Sequence, residues 1–209
     1  MALDKKNTSL ATRIFIIAVV VALVLAFAIP AGMSLFSSGE GPEDTAGGGQ
    51  LELIAAQYAA TIAGNDQMLA SDPTSYTVLV TQGNTYFDWA IAVQQSGAQN
   101  LEDRPMWTSA VVFYDRALQA QPGDPNVSTD LAISKYYSGD TAGAIVVVEG
   151  VMESGPDFAP GFFNAGIFYD SAAMSPQAVT AMTRYLELDS QGQYGDPALA
   201  GEIIARNGG

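Results

Sequence analysis

Apolar residues are distributed along this chain in two regimes. From Ile14 to Ile29 they fill sixteen consecutive positions without a polar side chain, and the tract extends through Pro30 and Gly32 to Phe36. Further on, the apolar positions recur at the spacing of a helix with one buried face. Leu51, Ile54, Tyr58 and Ile62 make the first such stripe, a capping helix or the closing helix of a degenerate unit that ends before Pro73. A second helix, carrying Gly83 and Tyr86, is predicted to reach about Gln95. The chain then turns through Ser96 to Asp103 and restarts near Pro105. Asp124-Pro125 and Asp196-Pro197 each set an N-cap carboxylate before a proline at the first helical position, so two further helices start there.

The 23 residues from Ile14 to Phe36 span about 34 Å as a helix, enough to cross a hydrocarbon core of roughly 30 Å. Lys5, Lys6 and Arg13 precede them and predict a cytoplasmic tail over 1–13, an anchor over 14–36 and the rest of the chain outside. Ala26-Phe27-Ala28 has the form of a signal-peptide cleavage site and supports the competing reading, a secreted protein. Residues 37–50, "SSGEGPEDTAGGGQ", read as a flexible, acidic, Gly-rich linker, leaving 51–209 as the folded domain.

Charge and composition narrow the chemistry. Beyond Ser37 there are 21 acidic residues against five basic ones, a net charge of −16 that repels nucleic acid and anionic lipid surfaces. The chain has no Cys and no His. Thiol nucleophiles, thiolate metal sites and the commonest general base are therefore excluded. Asp124 to Asp130, "DPNVSTD", alternates oxygen-bearing side chains like a calcium loop, but it lacks the central glycine and reads better as a helix cap. Asn126-Val127-Ser128 fits a glycosylation sequon but falls on a first helical turn. "GEGPEDTAGGG" lacks the Lys and Ser/Thr of a phosphate loop. Glu149 and Glu153 stand one helical turn apart, a spacing that suits a metal but suits a solvated acidic face better. No catalytic constellation, metal site or cofactor site emerges, and no enzyme is expected.

Self-similarity organises the remainder. Phe162, Gly166, Tyr169, Ala178 and Met182 follow Ser128, Ala132, Lys135, Ala144 and Val148 by 34 residues each. Ala110, Tyr114 and Pro122 precede Ala144, Val148 and Pro156 by the same interval, with Ala117 completing the first closing helix. An aromatic, a small residue and Tyr in one helix, then a small residue, a large apolar one and a terminal Pro in the next, is the tetratricopeptide (TPR) pattern. Residues 76–190 resemble that family. The second copy departs from it at Lys135, where Tyr is usual, and Ser190 replaces the final Pro. The resemblance implies an all-α TPR-type solenoid of about three helix pairs with capping helices, following the N-terminal transmembrane helix. Gly83, Ala132 and Gly166 would meet Ala110, Ala144 and Ala178 where paired helices cross, with Ala181 off that interface.

The first copy holds about fifteen residues more than the family spacing between Tyr86 and Ala110, so its two helices are expected to project beyond the stack. Trp89 and Trp107 lie near that projection, either packed on each other to close its tip or forming a docking knob. The resemblance further implies a concave groove lined by the opening helices. Asn84, Phe87 and Asp88 would face it from the first copy, Thr129, Asp130, Ile133 and Tyr137 from the second, and Phe163, Asn164 and Ile167 from the third. Without Lys or Arg, such a groove suits a protein or peptide partner with apolar or basic segments. The implied protein is a membrane-anchored scaffold or assembly factor of bacterial type, its domain periplasmic or extracellular. Its layout is similar to periplasmic TPR subunits of cytochrome c maturation systems and to TPR proteins of the secretion translocon. Self-association and a secreted structural role stay open.

Overall fold

Small residues spaced 34 apart decide how the helices of this chain pair. The structure, a computed structural model, describes residues 45–97 and 103–208; the tract at 14–36 and residues 37–44 of the expected linker lie outside them. Eight helices are present among the described residues: α1 (Thr45–Ser71), α2 (Tyr76–Gln95), α3 (Arg104–Ala120), α4 (Pro125–Ser138), α5 (Thr141–Ser154), α6 (Ala159–Ser171), α7 (Ser175–Leu188) and α8 (Pro197–Asn207). Each helix packs on the next in sequence, and α4 touches α6 while α6 touches α8. The result is three helix pairs, α2/α3, α4/α5 and α6/α7, flanked by α1 and α8. None of the described helices is long and apolar enough to cross a membrane.

Helix crossings fall where the small residues stand. Ala110, Ala132, Ala144 and Ala178 are fully buried, and Gly83 and Gly166 leave room for Tyr114 and Met182 respectively. The period continues one step further than the resemblance covers. Ala200 of α8 follows Gly166 by 34 residues and is fully buried, so α8 docks as the opening helix of an incomplete fourth pair. Ala181, expected to lie off that crossing, is buried as well. It sits one residue before Met182, where α7 turns toward α6 and α5.

Helix ends follow the local chemistry. The Asp124 carboxylate accepts from the backbone N–H groups of Asn126 and Val127 at 2.9 and 3.4 Å, and Asp196 does the same for Ala198 and Leu199 at 2.9 and 3.3 Å. Burial alone would raise the Asp124 carboxyl, but the Tyr76 hydroxyl and those backbone donors outweigh it and hold its pKa below the ordinary value. α4 closes through Gly139 at φ +99°, with the Asp140 N–H donating to the Lys135 carbonyl at 2.8 Å. The same closure recurs 34 residues on, where Met174 N–H donates to Tyr169 and the left-handed residue is Ala173 at φ +56°.

One boundary differs from the sequence reading. α1 begins at Thr45, inside the segment 37–50 expected to be linker. Once the stripe from Leu51 docks a helix, extending it backward adds one hydrogen bond per residue fixed, so the glycines are carried along. The α1–α2 contact itself is polar at its centre: Asn65 Nδ2 donates to Gln82 Oε1 at 2.7 Å, and Gln82 Nε2 donates to Asp66 at 3.1 Å.

Candidate functional site

The surplus residues of the first pair lengthen both of its helices. α2 runs to Gln95, six residues past Trp89, the repeat counterpart of Ser138 at which α4 stops. α3 starts three residues before Trp107, the counterpart of Thr141 at which α5 starts. Both tryptophans therefore stand at the root of the projection and not at its tip. They do not pack on each other. Trp89 stacks between Tyr58 of α1 and Tyr86, with centroids at 6.0 and 6.1 Å. Trp107 is 1% exposed, packs edge-on against Phe87 at 4.9 Å, and donates through Nε1 to Asp103 at 2.6 Å. Asp103 also accepts from Gln94 at 2.8 Å, tying α2 to the start of α3. Trp107 is core, and a docking knob built on it is ruled out by its burial.

Most of the inferred groove lining is packed as well. Phe87, Ile133, Thr129, Asp130 and Asn164 are buried. Phe87 lies beneath Trp107 and Tyr114, and Asn164 Nδ2 is committed to the Pro160 carbonyl at 2.8 Å. Asn84 is half-buried and accepts from the Tyr114 hydroxyl at 2.8 Å, which bridges the two helices of its pair. Asp88 is half-buried, with its carbonyl accepting from Tyr58 at 3.2 Å. Phe163 rests on Tyr185 at 4.8 Å beneath the loop before α8, so close to Gly195 that a β-carbon there would approach its ring to 2.7 Å. That loop is folded onto Phe163 by Asp189, whose buried carboxylate accepts from the N–H groups of Gln193 and Tyr194 at 2.9 and 2.6 Å. Ile167 packs on the core with part of its surface open.

Tyr137 is the exception. It is 46% exposed, yet its ring lies nearly parallel to the buried Trp107 at 4.9 Å. Tyr136 meets it edge-on at 5.3 Å and stacks in turn on Phe168 at 4.8 Å. An aromatic chain thus runs Phe87, Trp107, Tyr137, Tyr136, Phe168 from the first pair to the third, and only Tyr137 surfaces widely. Burial, then the neighbouring Tyr136 and Asp103, raises the Tyr137 phenol, so it stays neutral. A neutral phenol can both donate and accept a hydrogen bond, and the stacking on Trp107 and Tyr136 holds its ring in place.

Charge around these elements is one-sided. Arg116 donates to the Pro73 carbonyl and lies over Phe113, Lys135 pairs with Asp140, Arg184 pairs with Asp157 and Glu187, and Arg206 pairs with Asp170. Each of these cations is spent within the fold, while acids outnumber bases 21 to 5 beyond Ser37. Among the described residues no cluster of acids is arranged to hold a metal ion. The segment that resembled a calcium loop is the α4 cap.

No protein-family model and no curated protein matches the sequence. Solved structures match in fold. The crystal structure of MamA protein aligns with a TM-score of 0.55 at 13% identity, over 77% of this chain and 87% of that one. YrrB, described as a TPR protein with an unusual peptide-binding site, gives 0.42 at 18% identity over 74% and 88%. A MamA from Desulfovibrio magneticus RS-1, residue 41 to the end, gives 0.42 at 16% identity over 74% and 93%. The likeness to MamA, together with the 34-residue recurrence of small residues at the helix crossings, shows the fold to be a TPR-like all-α solenoid.

Proposed function

We propose that this chain is a protein-interaction scaffold that holds a partner's segment on the surface around Tyr137. In the same reading, Ile14 to Phe36 anchors it in the cytoplasmic membrane and the helical domain lies outside. The observation that carries the first part is the placement of Tyr137: an exposed aromatic seated on a buried one, between pairs, in a domain where Lys135, Arg184 and Arg206 are already ion-paired. An aromatic anchor on a rigid base is where binding free energy concentrates in protein interfaces. Ile167 and Asp88, half-buried on the other opening helices, add apolar and polar surface, and the net charge of −16 beyond Ser37 draws a basic segment in. The role is one of holding and positioning, without chemistry on the partner.

The membrane part rests on the length and apolarity of 14–36 and the basic residues before it. A photo-cross-linking amino acid placed at position 137 tests the surface in cells. A discrete cross-linked band from position 137, and none from the exposed Thr61 of α1, is the expected result. Equal patterns from both positions would sink the assignment. Protease added to intact spheroplasts should digest the domain while the chain stays with the membrane after alkaline washing, and a soluble form starting near Ile29 would overturn the anchor.

A further inference from the structure

The three pairs treat one repeat position very differently. Phe113, Val147 and Ala181 are 34 residues apart on α3, α5 and α7; Phe113 meets Tyr86 of its opening helix, and Ala181 lines one cleft with Tyr169, the counterpart of Tyr86. In the first pair Phe113 lies flat on Tyr86 at 5.6 Å, Tyr86 continues to Trp89 and Tyr58, and Arg116 covers Phe113. The chain fills that space with its own rings. In the third pair a methyl group replaces the phenyl, and a cleft of about 440 Å³ opens between α5 and α7. Its floor is Phe162 and Tyr169 of α6, and its walls are Met152 and Glu153 of α5 with Thr180 and Ala181 of α7. The size is that of a site for one or two side chains.

We propose that this cleft is a second docking site, which takes a partner peptide presenting an apolar side chain beside a lysine or arginine. The first pair shows the apolar half of the complement already in place, a ring lying on the tyrosine that Tyr169 repeats. The basic half follows from the rim. Glu149 and Glu153 stand one turn apart on α5, both exposed, and neither belongs to any of the four ion pairs among the described residues. The Tyr169 hydroxyl donates to Glu149 at 2.9 Å and fixes that carboxylate at the mouth. Arg184, which lies over Phe162 of the floor, is paired with Asp157 and Glu187 at 2.8 and 3.0 Å. The cleft also ends a row. Val112 and Val146 are exposed at the positions that Thr180 repeats, so an elongated segment laid across α3 and α5 would reach it.

This site is separate from the Tyr137 surface. Tyr137 comes two residues after Lys135, the counterpart of Tyr169, which is about 200° around an opening helix. Binding at one face leaves the other free.

The test uses the full chain in detergent micelles and two fluorescein-labelled hexapeptides, Lys-Leu-Phe-Arg-Leu-Lys and its counterpart with glutamate at each basic position. Anisotropy should show saturable binding of the basic peptide, at least about tenfold tighter than the acidic one, falling as salt rises. Methyl signals of Met152 and Thr180 should shift. Ala181→Phe, which copies the first pair, should weaken binding about tenfold or more, and Glu149→Gln with Glu153→Gln about fivefold at low salt. Thr61→Ala, on the exposed face of α1, should leave it unchanged. If Ala181→Phe fails to fold by circular dichroism, Thr180→Trp on the exposed wall should block in its place. Wild-type affinity in the folded blocking variant, absence of saturable binding, or an equal loss on Thr61→Ala would each overturn the proposal. Self-association that disappears with the same blocking variant would also overturn it, since the occupant would then be a second copy.

Discussion

A β-carbon placed on Gly83 would stand 2.6 Å from Cε1 of Tyr114, inside contact distance, because the two helices of the first pair close on each other at that point. Tyr114 is fully buried and reaches across to Asn84, so its ring has no free direction in which to retreat. Gly83→Ala should therefore destabilise the domain by about 1–3 kcal/mol in spite of the helix propensity that alanine gains. Gly150, with nothing within 4 Å of its virtual β-carbon, should instead gain about 0.5–1 kcal/mol on the same change. Chemical denaturation of the two variants checks the pair, and an equal response would contradict the crossing described here.

The left-handed closure at the end of α6 is served by alanine where α4 uses glycine. A side chain in that conformation costs roughly 1–2 kcal/mol. Ala173→Gly should raise the stability by about 1 kcal/mol and the melting temperature with it, while Gly139→Ala should lower both by a similar amount. Calorimetry on the two variants decides the sign at each position.

Alkaline pH should unfold the domain through its tyrosines. Burial, with Asp88 nearby, pushes Tyr58 up to about 12, and burial with Asp189 does the same for Tyr185. Tyr76, Tyr86, Tyr137 and Tyr169 are raised as well, burial being the largest cause in each. A phenol that ionises less readily when folded contributes stability that is whole below about pH 10 and is lost as pH rises through the folded value. Phenolate absorbance should thus rise in step with loss of helical circular dichroism above pH 10. A single ionisation near 10 with helices intact would contradict the packing assigned to these rings.

Much of this architecture is legible in the sequence because helix pairs of this type depend on local features. The end of α2 at Gln95, the restart at Arg104, and the caps at Asp124 and Asp196 follow from turn residues and N-cap chemistry that act within a few positions. Small residues at Gly83, Ala132 and Gly166 announce the crossings for the same reason. The site is less legible. Periodicity marks Phe87, Ile133 and Asn164 as belonging to one helix face, but whether that face is open depends on what the neighbouring pair lays over it. Trp107 covers Phe87, and the loop organised by Asp189 covers Phe163; neither contact is encoded at helical spacing. Of the inferred lining, Tyr137 alone is widely exposed, and nothing in its sequence context distinguishes it from Tyr136. Fifteen extra residues pointed to a projection, yet not to tryptophans rooted in two separate aromatic clusters. The open cleft at Ala181 becomes visible only when equivalent positions are compared after the fold is known.

The surface around Tyr137 is the centre of the functional reading, and a binding isotherm tests it most directly. With the partner identified by cross-linking from position 137, the affinity of the full chain should fall about thirtyfold on Tyr137→Ala, the equivalent of roughly 2 kcal/mol for an anchor of this kind. The truncation also uncovers Trp107, so circular dichroism on the same sample must show the variant folded. Trp107→Phe, which keeps an aromatic base beneath the ring, should cost less. A folded Tyr137→Ala protein that binds the partner with wild-type affinity would contradict the assignment of this surface.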